Sequence, residues 1–274
     1  MGLDHLLLLA AIQGITEFIP VSSSGHLQLV HGLTAFPDHG LAVDVALHAG
    51  TLLAVMAYFY RDVGLMLVGA RDIVRRQPSA PANLVRVLVI ASFPVLLSGA
   101  TLVVSGVADV LRKPEIVAWA SIVFAIPLWL ADRRHATRSS DIKASEGGDL
   151  QTISPRHALI IGLAQMLALI PGASRAGVTI MAGLYLGFDR TQAARFSMVL
   201  AMPVIGAFAL VGLVDLVQAG ALEALGMALV AGLLAALFAF ATIHMFLKIT
   251  RKIGLLPFVI YRIGLGIGLL VALA

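Results

Sequence analysis

The sequence predicts an all-α polytopic membrane protein: six transmembrane helices plus two re-entrant helix-loop-helix hairpins, arranged as an inverted-topology repeat. Three observations carry this. Of 274 residues, 59% are hydrophobic and 12% charged, about half the charged share of a soluble domain. Mean hydropathy is +0.97. Long apolar segments recur along the chain, and two of them are broken by Pro, Gly, Ser and ionisable residues.

The apolar segments fall near 3–34 (interrupted), 41–60, 84–108, 116–131, 157–187 (interrupted), 196–217, 221–247 and 255–274. A full span needs about 20 apolar residues. Six segments can cross once, although 116–131 is short. The interrupted two read as hairpins of short helices meeting at a Pro/Ser/Gly tip, because irregular backbone at membrane depth survives only when protein or a water-filled cavity covers it.

Connection 61–83 carries Arg61, Arg71, Arg75 and Arg76, and connection 132–156 carries Arg133, Arg134, Arg138, Lys143 and Arg156. Connections 188–195 and 248–254 add Arg190, Arg195, Lys248, Arg251 and Lys252. The opposite connections hold only Arg112 and Lys113. The first set is therefore expected in the cytoplasm. The same asymmetry explains a net charge of +4 and a pI near 9.8, so no nucleic-acid partner is expected.

The polar stretch 138–154 reads as a flexible cytoplasmic linker inside a single integral domain, 1–274, joining pseudo-repeats of about 1–137 and 155–274. In this topology the first hairpin opens outward and the second inward, as broken helices do in inverted repeats. The absence of cysteine excludes disulfides and thiolate metal sites. The N-terminus lacks a basic n-region, so no cleaved signal peptide is expected. Leu6 stands where a myristoylation signal wants Ser or Thr.

The first tip, Gln13 to His26, reads Q-G-I-T-E-F-I-P-V-S-S-S-G-H. Ionisable groups at membrane depth mark function by default. Gln13 and Glu17 share a helix face and suit a hard cation, Mg²⁺ or Ca²⁺, with phosphate oxygens completing its shell. Ser22, Ser23 and Ser24 precede a helix start, where hydroxyls cap backbone N–H groups and where phosphate binds. His26 has the chemistry of a base, an acid or a nucleophile, although a lone membrane histidine is as often structural.

The second tip, P-G-A-S-R-A-G-V-T over 171–179, centres on Arg175. A guanidinium inside an apolar hairpin needs an anion, either a phosphate that its fork grips or Glu17 of the other tip. Gly172, Ser174 and Thr179 complete a candidate phosphate site. Asp44 with His48, and Arg262 beside Tyr261, read as structural pairs before they read as site residues. These parts fit phosphoryl transfer from a substrate held in the membrane, which needs positioning, charge neutralisation and an in-line nucleophile. No Walker A motif is present.

E-F-I-P-V-S-S-S-G-H (17–26) and P-G-A-S-R-A-G-V-T (171–179) resemble the two signature motifs of the bacterial undecaprenyl pyrophosphate phosphatase family, of the bacitracin-resistance type. The resemblance extends over the whole chain, including D-V-A-L-H-A-G-T-L-L-A-V (44–55) and P-F-V-I-Y-R (257–262). It implies hydrolysis of undecaprenyl pyrophosphate to the monophosphate, recycling a lipid carrier for peptidoglycan synthesis and conferring bacitracin resistance. It also implies the six-span, two-hairpin repeat and a multi-pass protein of the bacterial inner membrane, with its site facing the periplasm. Glu17, Ser23, His26, Ser174, Arg175 and Thr179 match the family's active-site positions.

Two positions depart from the pattern. Gln13 stands where a second Glu is frequent, and Ala176 where a second Ser is frequent. Either Ser23 or His26 could attack phosphorus; the favoured assignment is Ser23, with His26 as its base. The partners expected are the lipid pyrophosphate and the bilayer, and a homodimer is compatible with the sequence. The rival class is a transporter or flippase of the lipid phosphate, which would need Arg175 but no nucleophile; a proton- or sodium-coupled small-anion carrier is a weaker third.

Overall fold

Every regular element among the described residues is helical. The structure, a computed structural model, describes residues 3–27, 40–106, 110–111, 113–138, 149–220 and 225–273. The helices are α1 (Leu3–Thr16), α2 (Gly40–Tyr58), α3 (Tyr60–Val74), α4 (Ala80–Ser105), α5 (Pro114–Arg138), α6 (Pro155–Gln165), α7 (Arg175–Tyr185), α8 (Arg190–Gln218), α9 (Leu225–Ile253) and α10 (Leu256–Leu273). Residues 23–27 form a further helical turn. Among the described residues, six helices are long and apolar enough to cross a membrane: α2, α4, α5, α8, α9 and α10. They match the six expected segments, and polar residues at its C-terminal end carry α5 to Arg138, well beyond the apolar run at 116–131.

Local chemistry sets the helix starts. Ser79 caps α4 by accepting the Ala82 N–H, and Ser154 caps α6 by accepting that of His157, each with proline in the first turn. Asp189 caps α8 through the Gln192 N–H.

One expectation is corrected. The connection 61–83 is not an open loop: α3 fills most of it, turning Asp62 and Asp72 inward while its arginines stay outside. Its charge pattern conceals a helix that packs along α4. The linker 138–154 lies mostly outside the described residues, but its last part is anchored. Asn83 Nδ2 donates to the carbonyls of Gln151 and Ile153 at 2.7 and 3.0 Å, and Leu150 and Ile153 are buried.

α1 ends at Thr16 and the chain turns through 17–21 before resuming a helix at Ser23. α6 continues into a 3₁₀ turn, Met166–Leu169, then an irregular tip ending at Ser174. The remainder of the second arm expected for the first hairpin lies outside the described residues. α1 packs on α9 and α6 on α4. Both contacts use a glycine: a Cβ on Gly14 or Gly162 would meet the carbonyl oxygen of Ala235 or Ala91 at 2.6 Å, the close approach that small residues allow between membrane helices.

The Lys/Arg-rich connections converge on one end of the bundle. Arg195 pairs with Asp62 at 2.7 Å and Arg190 with Asp132 at 2.6 Å, while Asp132 also accepts the Leu255 N–H at 3.1 Å.

Candidate active site

The two tips meet, and each is built on a strained serine. Ser22 and Ser174 have φ of 73° and 70°, a left-handed conformation that costs a non-glycine residue on the order of 1–3 kcal/mol and clusters at functional sites. Each caps the helix that follows, Ser22 accepting from the Gly25 N–H at 3.4 Å and Ser174 from the Gly177 N–H at 3.1 Å. Ser22 Oγ also accepts the Gly172 N–H of the other tip at 3.1 Å.

Arg262 of α10, 0% exposed, locks this junction. It donates to the carbonyls of Pro20 and Gly172, one from each tip, and to those of Ala120 and Ser121 on α5. That is the structural role the sequence favoured for it.

Glu17 is the hub of the site. Its Oε1 pairs with Arg175 at 3.2 Å. Its Oε2 accepts Ser23 Oγ at 2.6 Å and Gln13 Nε2 at 3.2 Å. Arg175 is held from behind by donating to the Ser197 carbonyl at 3.0 Å and the Glu17 carbonyl at 3.2 Å, with the Phe18 ring 5.9 Å away. Three bonds leave two of its five N–H groups for a ligand.

A cavity of about 210 Å³ opens over this hub. Six of the sequence-predicted residues line it: Glu17, Ser22, Ser23, Ser24, Ser174 and Arg175. Val204, Ile205 and Phe208 of α8 form an apolar wall.

The remaining sequence-predicted residues sit behind the cavity. Thr179 Oγ1 bonds the Arg175 carbonyl at 2.8 Å and Ser197 Oγ at 2.7 Å, so it fixes the arginine's helix instead of presenting a donor. Gly172 spends its N–H on Ser22 and its carbonyl on Arg262. Gln13 is fully buried beneath Glu17, with Oε1 lacking a hydrogen-bond partner among the described residues.

His26 departs furthest from expectation. Its Nδ1–H donates to the Ser22 carbonyl at 2.7 Å, and Nε2 meets Tyr261 OH at 2.6 Å, ring stacked on ring. Both nitrogens are engaged, and neither reaches Ser23. The ionisable group within hydrogen-bond reach of Ser23 Oγ is Glu17, at 2.6 Å.

The cavity also gains a residue that sequence reasoning set aside. His48 of α2 lines it. Its Nδ1–H donates to the Asp44 backbone carbonyl at 2.8 Å, not to the carboxylate, which leaves Nε2 outside that bond. Phe208 packs against the ring at 4.7 Å. The available signal was a histidine inside an apolar span, four residues after an aspartate.

Among the described residues, no group of three or more His, Asp or Glu stands ready to hold a metal. The donor set around Glu17 is one carboxylate and one amide oxygen, the unpartnered Oε1 of Gln13. That is a partial shell for a hard cation, which takes six or more oxygens.

A family model described as "Bacitracin resistance protein BacA" matches residues 6–268. A protein of Maricaulis maris named "Undecaprenyl-diphosphatase" is 43% identical, with 99% of each chain covered. Proteins of the same name from Teredinibacter turnerae and Hahella chejuensis are 43% and 42% identical, covering 99% and 97% of this chain and 100% and 97% of their own.

Proposed function

The chain belongs to the bacitracin resistance protein BacA family, and from that premise we propose how its site works. The protein is an undecaprenyl-diphosphatase: a membrane hydrolase that cleaves undecaprenyl pyrophosphate to undecaprenyl phosphate and inorganic phosphate. That activity places it in cell-wall synthesis and bacitracin resistance. One observation carries the mechanism: Ser23 Oγ donates to Glu17 Oε2 at 2.6 Å in the cavity that Arg175 lines.

Ser23 Oγ attacks the terminal phosphorus while its proton passes to Glu17. The bond from that phosphorus to the bridging oxygen breaks, and undecaprenyl phosphate leaves. Glu17 gives that proton up to solvent through the open cavity, then takes one from the water that attacks the phosphoserine and returns it to Ser23 Oγ as the phosphorus–Oγ bond breaks and inorganic phosphate leaves. Arg175 orients Glu17 and offers its two remaining N–H groups to the non-bridging oxygens. His48 Nε2 supplies a proton to the leaving phosphate. The serine–carboxylate pair favours hydrolysis over lipid-phosphate transport, for which Arg175 alone would suffice.

A divalent cation, Mg²⁺ or Ca²⁺, would be held by Glu17 on the cavity side, and by Gln13 only if its amide turned Oε1 in place of the Nε2 that now faces Glu17, with most of its shell drawn from the substrate's phosphates; bound there, it would neutralise charge on the non-bridging oxygens.

Two further readings belong to the same proposal. The short helices with their tips are re-entrant hairpins of an inverted repeat; in support, α1 packs on the second span of the other half, α9, as α6 packs on α4. The protein sits in the inner membrane, with the site opening to the periplasm and the charged bundle end in the cytoplasm.

Phosphate release from farnesyl pyrophosphate by the purified protein, with and without EDTA, tests the activity and the cation together. Absence of release would overturn the activity, and release indifferent to EDTA would remove the cation. For sidedness, Ser24→Cys should react with a membrane-impermeant thiol reagent outside intact spheroplasts, and Gln77→Cys only after permeabilisation. The reverse pattern would overturn the orientation.

A further inference from the structure

A second, differently charged recess lies at the cationic end of the bundle. Between α2, α8 and α9 is a groove of about 670 Å³ lined by Tyr58, Thr191 and His244 together with Lys248, Arg251 and Lys252. It is separate from the active-site cavity. His48 and Tyr58 stand ten residues apart on α2, about 15 Å along the axis at 1.5 Å per residue.

The electrostatics of the two recesses differ. In the catalytic cavity one guanidinium is neutralised by one carboxylate. The groove has three basic side chains, an imidazole and two hydroxyls, and no carboxylate among its lining residues. Tyr58 OH meets His244 Nδ1 at 3.3 Å, and the Tyr58 ring packs on Phe240 at 5.4 Å. The polar floor is thus continuous with an apolar surface.

That surface is a stripe. Leu233, Leu237, Phe240, His244 and Lys248 recur at helical spacing on one face of α9, every one of them exposed. Leu237 is 70% and Leu233 65% exposed. An apolar stripe running along a membrane span into a cationic, hydroxyl-bearing groove matches one kind of molecule: an acyl chain on the stripe and a phosphate against the cations.

We propose that this groove is a binding site for an anionic glycerophospholipid of the surrounding bilayer, its head-group phosphate held by Lys248, Lys252 and the Tyr58 and Thr191 hydroxyls. The site needs no turnover at the catalytic cavity.

The probe is dioctanoylphosphatidylglycerol added to the purified protein in neutral detergent, followed by thermal unfolding. The wild type should gain roughly 3 °C or more at saturation, with dioctanoylphosphatidylcholine and inorganic phosphate giving less than a third of that shift. Lys248→Gln/Lys252→Gln should weaken the apparent affinity at least tenfold, and Lys248→Arg/Lys252→Arg should retain it. Basal phosphate release from farnesyl pyrophosphate should stay within twofold in both, which reports an intact fold. If the double variant is inactive, Lys252→Gln alone carries the test, with about a threefold loss. An equal shift from phosphatidylcholine would reduce the groove to ordinary detergent or lipid contact. An equal shift from inorganic phosphate would make it a free-anion site. Unchanged affinity in the glutamine variants would remove the groove altogether.

Discussion

The two tips share a backbone and differ in chemistry. Each has a left-handed serine, Ser22 or Ser174, capping the helix that follows it. The next residue is Ser23 in one tip and Arg175 in the other, and both side chains converge on the single carboxylate of Glu17. On the proposed mechanism, one frame used twice presents a nucleophile from one side and an anion clamp from the other. The second tip has no carboxylate and the first has no cation. Neither is an active site alone, so the junction made by Ser22, Gly172 and Arg262 is part of the machinery.

The comparison breaks most sharply at the serines. Ser23→Ala should lower kcat by about 10⁴, roughly 5 kcal/mol of barrier, whereas Ser174→Ala should lower it only a few-fold and cost about 1 kcal/mol of stability through the lost cap. Rates and thermal midpoints of the two purified variants check this. Equal losses would make the tips chemically equivalent and overturn the nucleophile assignment.

Glu17→Gln keeps the shape and removes the base, so kcat should fall about 10³. Groups that act as a unit lose activity non-additively, so Glu17→Gln/Ser23→Ala should be no slower than Ser23→Ala alone. A multiplicative loss would separate Glu17 from Ser23.

Arg175→Lys keeps the charge but loses the fork. It should lower kcat/KM at least tenfold, roughly 1.4 kcal/mol. The part of this that acts through Glu17 appears in kcat and the part that grips substrate appears in KM. Near-normal kinetics would remove Arg175 from the site.

His48→Gln should lower kcat about tenfold with farnesyl pyrophosphate and much less with a substrate whose leaving group needs no proton, such as a nitrophenyl phosphate. Equal losses on both would make His48 a packing residue against Phe208.

Much of this site was legible because the membrane makes polar residues conspicuous. A glutamate, a proline and three serines inside an apolar run point to a buried tip, and Arg175 demands an anion whether substrate or Glu17 provides it. The spans were legible from length and hydropathy. What remained hidden depends on contacts across the chain. Ser23 and His26 sit three residues apart, a spacing that suggests a pair, yet His26 is claimed by Tyr261, 235 residues away. Thr179 is drawn back by Ser197. His48 reaches the cavity only because α2 packs beside α8, with no local sign of it. α3 was concealed because its arginines dominate a reading based on charge.

The smallest expected effect tests the most consequential of those contacts. Tyr261→Phe removes one hydroxyl from His26 Nε2 and leaves the ring stacking in place. A neutral hydrogen bond contributes about 0.5–1.5 kcal/mol, so a positioning role for His26 predicts less than a tenfold loss in kcat and an unaltered pH profile. The remaining bond, from Nδ1 to the Ser22 carbonyl, still holds the first tip. If His26 were instead the base that serves Ser23, freeing Nε2 from the tyrosine would change both its basicity and its reach, and the acidic limb of the kcat profile would move. A shifted limb, or a loss beyond a hundredfold, would return His26 to the chemistry and reduce Glu17 to the residue that orients Arg175.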